Sequence, residues 1–62
     1  MPTYKEVAEL AQICARNARM ASTRDIAIEL WRMAEEYQDE AAKITNGKRP
    51  DIGDMPRWLT KR

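Results

Sequence analysis

Apolar residues in this chain recur at alternating spacings of three and four, and the recurrence stops and restarts once. Tyr4, Val7, Ala11, Cys14, Ala18 and Ala21 form the first series, and Ala27, Leu30, Ala34, Tyr37, Ala41 and Ile44 the second, flanked by Ile26 and Met33. Such spacing lines side chains along one side of an α-helix, whereas a half-buried strand needs alternation at every second residue. The chain is therefore expected to be all-α, built on two helices. Lys5, Glu9, Gln12, Arg16 and Arg19 fall opposite the first series and are expected to face water. Asp25, Glu29, Arg32, Glu36, Asp39, Glu40 and Lys43 do the same for the second.

The boundaries follow from capping chemistry. Thr3 and Glu6 have the spacing of a capping box, in which hydroxyl and carboxylate each satisfy the other residue's backbone N–H; Pro2 lies harmlessly outside. Helix 1 is placed at about 3–21. Ser22 with Asp25 repeats the capping spacing, so a turn belongs there and helix 2 spans about 23–45. Arg32 with Glu36 and Asp39 with Lys43 are four apart and set to pair on its exposed side. Asn46-Gly47 ends the helix, since glycine accepts a left-handed backbone, and Pro50 forbids resumption. Residues 1–47 thus read as a helical hairpin, and 48–62 as a basic, non-helical tail containing Pro50, Gly53 and Pro56. At about 1.5 Å per residue the helices are about 27 and 33 Å long, and so short a connection makes them antiparallel.

A chain of 62 residues is near the size at which one hydrophobic core is marginal. Its single cysteine and lack of histidine exclude an internal disulfide and any histidine-containing zinc site. Apolar positions on helix 1 sweep an arc of roughly 240°, from Met20 and Ile13 through Leu10 to Ala15 and Ala8, more than one partner helix covers. Helix 2 has its own shoulder in Ile28, Trp31 and Ala42. A second copy is the expected cover, pairing two hairpins into a dimeric four-helix bundle. The chain's own tail and an unidentified protein partner are the alternatives. Ile13, Met20, Ile28, Trp31, Trp58 and Leu59 are the expected partner-binding residues.

The tail carries five basic and two acidic residues, yet Ile52, Met55, Trp58 and Leu59 are too apolar for a solvated linker. Either it folds back, with Trp58 or Ile52 capping a shoulder, or Met55-Pro56-Arg57-Trp58-Leu59 is a docking peptide ordered on binding.

No catalytic constellation emerges, and neither cofactor nor metal is expected. Cys14 lacks the histidine base a cysteine nucleophile generally needs, and its seam position suits a small core residue. The carboxylates of helix 2 point outward, and Gly47 and Gly53 stand alone, so no phosphate loop is present. Nucleic-acid association is the rival reading, through Arg16, Arg19 and Arg24 near the turn and Lys48, Arg49, Arg57, Lys61 and Arg62 in the tail. Against it stand a formal net charge of +1 and an acidic helix 2. Nearly antiparallel long helices also lack the steep crossing of a helix-turn-helix reader. No apolar run suggests a membrane span, and the first residues lack the apolar stretch of a secretory signal, so a cytoplasmic location is expected.

The stretch Leu30-Trp31-Arg32-Met33-Ala34-Glu35-Glu36-Tyr37, followed by Ala41-Ala42 and preceded by Ala11, Cys14 and Ala18, resembles short uncharacterised helical proteins of alpha-proteobacteria. The resemblance covers about residues 4 to 45. It implies a helical hairpin of unknown activity and assigns no functional residue. The sequence as a whole reads as a non-enzymatic, self-associating module for protein interaction or regulation.

Overall fold

The computed structural model describes residues 2–60. Two long helices, α1 (Tyr4–Met20) and α2 (Arg24–Ile44), pack against each other as an antiparallel hairpin, and no strand occurs among the described residues. The molecule measures 35 × 17 × 14 Å, and its shortest dimension is little more than one helix diameter. There is one layer of helices, so each has two flanks that another element must cover or leave to water.

Thr3 and Glu6 close the expected capping box. The Glu6 N–H donates to Thr3 Oγ1 at 3.2 Å and the Thr3 N–H to Glu6 Oε1 at 3.0 Å. At α2 the cap is Thr23 and not Ser22. Its hydroxyl oxygen accepts from the Ile26 N–H at 3.3 Å, and its extended backbone (φ −129°, ψ 155°) directs the chain into the helix. The C-terminus of α2 closes with Asn46 at φ 60° and Gly47 at φ 104°. Both are left-handed, and the Gly47 N–H reaches back to the Ala42 carbonyl at 2.6 Å. The Thr45 hydroxyl lies within bonding distance of the Ala41 and Lys48 carbonyls, 3.0 and 2.9 Å away, which turns the tail back toward the hairpin.

The interface is built from small side chains. Ala11, Ala15, Ala18, Ala27, Ala34 and Ala41 are wholly buried, with Val7 and Cys14 beside them. Alanines along both helices let the backbones approach closely, and the missing bulk is supplied at the edges by half-buried Leu30 and Tyr37 and by a third element, the tail.

The tail is not uniformly irregular. After an extended stretch it forms one helical turn, α3 (Arg57–Thr60), which starts directly after Pro56, where the preset φ of proline suits a helix start. The Leu59 N–H donates to the Pro56 carbonyl at 3.0 Å. Pro50, Ile52 and Leu59 are buried, and the last two join the same apolar cluster as Ala11, Ala15, Ala18 and Trp31. Of the two readings of the tail, the structure shows the fold-back, with Ile52 and Leu59 as the buried anchors, while Trp58 stays 42% exposed.

Expected ion pairs form with different partners. Glu29 with Arg32 (3.9 Å) and Glu40 with Lys43 (4.0 Å) pair one turn apart on exposed surface, where each contributes little. Asp39 is taken instead by Arg49 at the start of the tail.

Candidate docking surfaces

Each step along a helix turns 100°, so the residue after a core position lies on one flank and the residue before it on the other. For Ala11 and Ala18 the following residues are Gln12 and Arg19, and the preceding ones Leu10 and Asn17. For Ala27 and Ala34 the following residues are Ile28 and Glu35, and the preceding ones Ile26 and Met33. In an antiparallel pair these flanks coincide: the "following" residues of both helices share one side of the hairpin and the "preceding" residues share the other.

The tail lies along the first flank, where side chains of both helices donate to its backbone. Gln38 Nε2 donates to the Pro50 carbonyl at 2.8 Å and Arg19 Nη2 to the Ile52 carbonyl at 2.6 Å. Gln12 and Arg24 make longer contacts to the Asp51 and Leu59 carbonyls, 3.5 and 3.4 Å. Arg49 joins this network by donating to Gln38 Oε1 at 3.0 Å. The Arg19 guanidinium also stands over the Trp31 ring, 5.8 Å from its centroid, a cation–π placement. Beneath the tail Trp31 is only 6% exposed. Beside it Ile28, Trp31, Arg32, Glu35, Met55 and Leu59 line a cleft of about 210 Å³. Every buried side-chain polar atom among the described residues has a partner.

Gly53 is fixed by this arrangement. Its φ is +83°, its N–H donates to Asp51 Oδ1 at 2.8 Å, and a Cβ built on it would overlap the Arg19 guanidinium. A side chain here would meet both a disfavoured backbone and the group that holds Ile52 in place.

No described residue of the tail is bonded to the second flank. Leu10 on α1 and Ile26, Met33 and Ile44 on α2 are each more than two-fifths exposed, and Leu30 and Tyr37 complete the strip. Met33, Glu36, Tyr37 and Glu40 surround a shallow recess, so this apolar strip has an acidic edge.

The residues expected to bind a partner are thus divided. Trp31 and Leu59 are internal, and Ile28 is half-buried beside them, because the tail supplies the cover expected from a second chain. Ile13 (46% exposed) and Met20 (74%) stay open on the outer side of α1, beyond the tail-free strip. The strip itself was not singled out in the sequence as a binding face, although Ile26 and Met33 are seven apart and each precedes a core alanine.

The basic residues offered to nucleic acid are also divided. Arg19, Arg24 and Arg49 hold the tail, and Arg57 has an interaction of its own, while Lys61 and Arg62 lie outside the described residues. Cys14 is buried in the hairpin, and burial pushes its thiol above the ordinary value, the reverse of nucleophile activation. Among the described residues no group of three or more potential ligands is placed to hold a metal ion, and no helix is long and apolar enough to cross a membrane.

No protein-family model matches the chain, and no significant similarity joins it to a curated protein or a solved structure.

Proposed function

We propose that the chain is a non-enzymatic protein-interaction module that self-associates through its tail-free flank, two hairpins meeting about a two-fold axis to form a four-helix bundle. The observation that carries this reading is the asymmetry of cover: one flank of the single helical layer is roofed by the tail, and the other leaves Leu10, Ile26, Met33 and Ile44 open. Contiguous apolar strips rimmed by polar groups mark interaction surfaces, and a chain of this size gains most by burying one. A second copy brings a matching strip, since a two-fold interface uses the same patch twice.

Sedimentation equilibrium across micromolar concentrations tests the reading. The expected result is a dimer mass that falls to the monomer in Met33→Glu while helicity by circular dichroism is unchanged. A wild-type monomer throughout overturns self-association. Because Glu36 and Glu40 edge the strip, two copies bring like charges together, and added salt is expected to tighten the dimer by screening them.

The same acidic edge favours a second reading, in which the flank docks a basic amphipathic helix of another protein. That complex weakens with salt, so the sign of the salt dependence separates the two.

A further inference from the structure

The geometry points to a second binding site, on the opposite flank: a groove between α1 and α2 that recognises an extended peptide, occupied by the chain's own tail and able to take the tail of a second copy in its place. The groove has the parts of a peptide site. Gln12 and Arg19 are seven apart on α1, and Arg24, Trp31 and Gln38 seven apart on α2, so each set forms a line parallel to its helix axis along the same flank. These lines supply donors to four carbonyl oxygens, those of Pro50, Asp51, Ile52 and Leu59, and Trp31 supplies an apolar floor.

Backbone carbonyls carry no side-chain identity, so the donors fix direction and register. Selectivity falls on three positions. Ile52 and Leu59 are the buried anchors, and Gly53 is favoured by its positive φ, where a side chain would also displace the Arg19 guanidinium from the Ile52 carbonyl. The groove therefore selects an Ile-Gly pair followed, six residues after the glycine, by leucine. This chain's tail has that pattern, and none of the contacts depends on covalent attachment to the hairpin. The tether enters only through the left-handed Asn46-Gly47 turn, which holds the tail at a high effective concentration over its own groove. Exchange of an identical element between copies needs no new contact, only the opening of that turn.

The test is fluorescence anisotropy with a fluorescein-labelled peptide of residues 48–60, titrated with full-length chain. In wild type the tethered tail competes and binding is weak. Gly53→Val evicts the tethered tail and leaves every groove residue intact, so peptide affinity is expected to rise about a hundredfold. Leu59→Glu evicts it by removing an anchor and is expected to raise affinity likewise. A Gly53→Val peptide is expected to fail with both chains. If neither full-length variant binds the wild-type peptide, or the Gly53→Val peptide binds as well as the wild-type one, the site is refuted. Met33→Glu on the opposite flank is expected to leave all these titrations unchanged, so this site and the self-association of the tail-free flank fail separately.

Discussion

Replacing Ile52 with alanine tests whether the tail is part of the core or merely laid upon it. The Ile52 side chain is buried in the cluster that contains Ala11, Ala15, Ala18 and Trp31, although Asp51 and Gly53 on either side of it are exposed. Truncation removes three carbons, about 2 kcal/mol or slightly more at about 0.8 kcal/mol for each. A cavity adds to this where the surroundings cannot collapse, which spreads such substitutions over about 2–5 kcal/mol. Here the roof of the cavity is a single extended strand of chain with solvent behind it, so it can sink, and the low end applies. The expected loss is about 2–3 kcal/mol. In a domain this small, that lowers the melting temperature by on the order of 10–20 °C. Urea unfolding followed by circular dichroism measures it, with Glu9→Ala on the exposed side of α1 as a control expected to change stability by less than about 0.5 kcal/mol. Ile52→Ala matching that control would refute the claim that the tail completes the core.

Other outcomes follow from the caps, the interface and the thiol. Thr23→Ala is expected to cost about 1 kcal/mol in thermal or urea unfolding, because the Ile26 N–H loses its acceptor, while Ser22→Ala changes stability by less than half of that. Ala34→Leu puts a large side chain between closely approaching helices and is expected to destabilise by about 1–3 kcal/mol, read as a lower urea midpoint. Burial raises the Cys14 thiol above 9.0, its ordinary value, so the folded state favours the protonated form. The stability this gives is whole below that value and is lost as pH climbs through it toward the raised one. Cys14→Ala is expected to flatten the alkaline limb of a stability–pH profile, and the wild-type thiol to react slowly with alkylating reagents at pH 8 until the chain is unfolded.

Much of the hairpin was legible because its determinants are local and periodic. The three-and-four spacing of Val7, Ala11, Cys14 and Ala18 and of Ala27, Leu30, Ala34, Tyr37 and Ala41 placed both seams, and the Thr3–Glu6 box placed the first cap. The second cap shifted from Ser22 to Thr23 because adjacent hydroxyl residues offer the same chemistry, and the backbone decides which one turns toward the helix. Of the apolar shoulders read from the sequence, the tail covers the one formed by Ile28 and Trp31 on α2, whereas Ile13 and Met20 at the end of the α1 arc stay exposed.

What could not be read was which shoulder the tail takes, because that depends on the handedness with which both flanks coincide and on long-range contacts from Gln12, Arg19 and Gln38. Those residues look like solvated polar positions in a helical projection. Their role appears only when carbonyls from residues 50–59 arrive beside them, and the seven-residue spacing of Gln12 with Arg19 and of Arg24, Trp31 and Gln38 is the signal that was available. In the same projection Trp31 falls on a shoulder and Leu59 in an unattached tail, although both are buried in the fold. The positive φ of Gly53 leaves no sequence trace beyond the glycine itself, though it fixes the register of the tail.

Hydroxyl-radical footprinting over a range of chain concentrations tests the division of the hairpin into a roofed flank and an open one most directly, since it reads side-chain exposure residue by residue. The account predicts Trp31 protected at every concentration, Met20 reactive at every concentration, and Met33 reactive when dilute but protected as copies associate. Trp31 oxidised as readily as Trp58 in dilute solution, or Met33 reacting equally throughout the series, would contradict it.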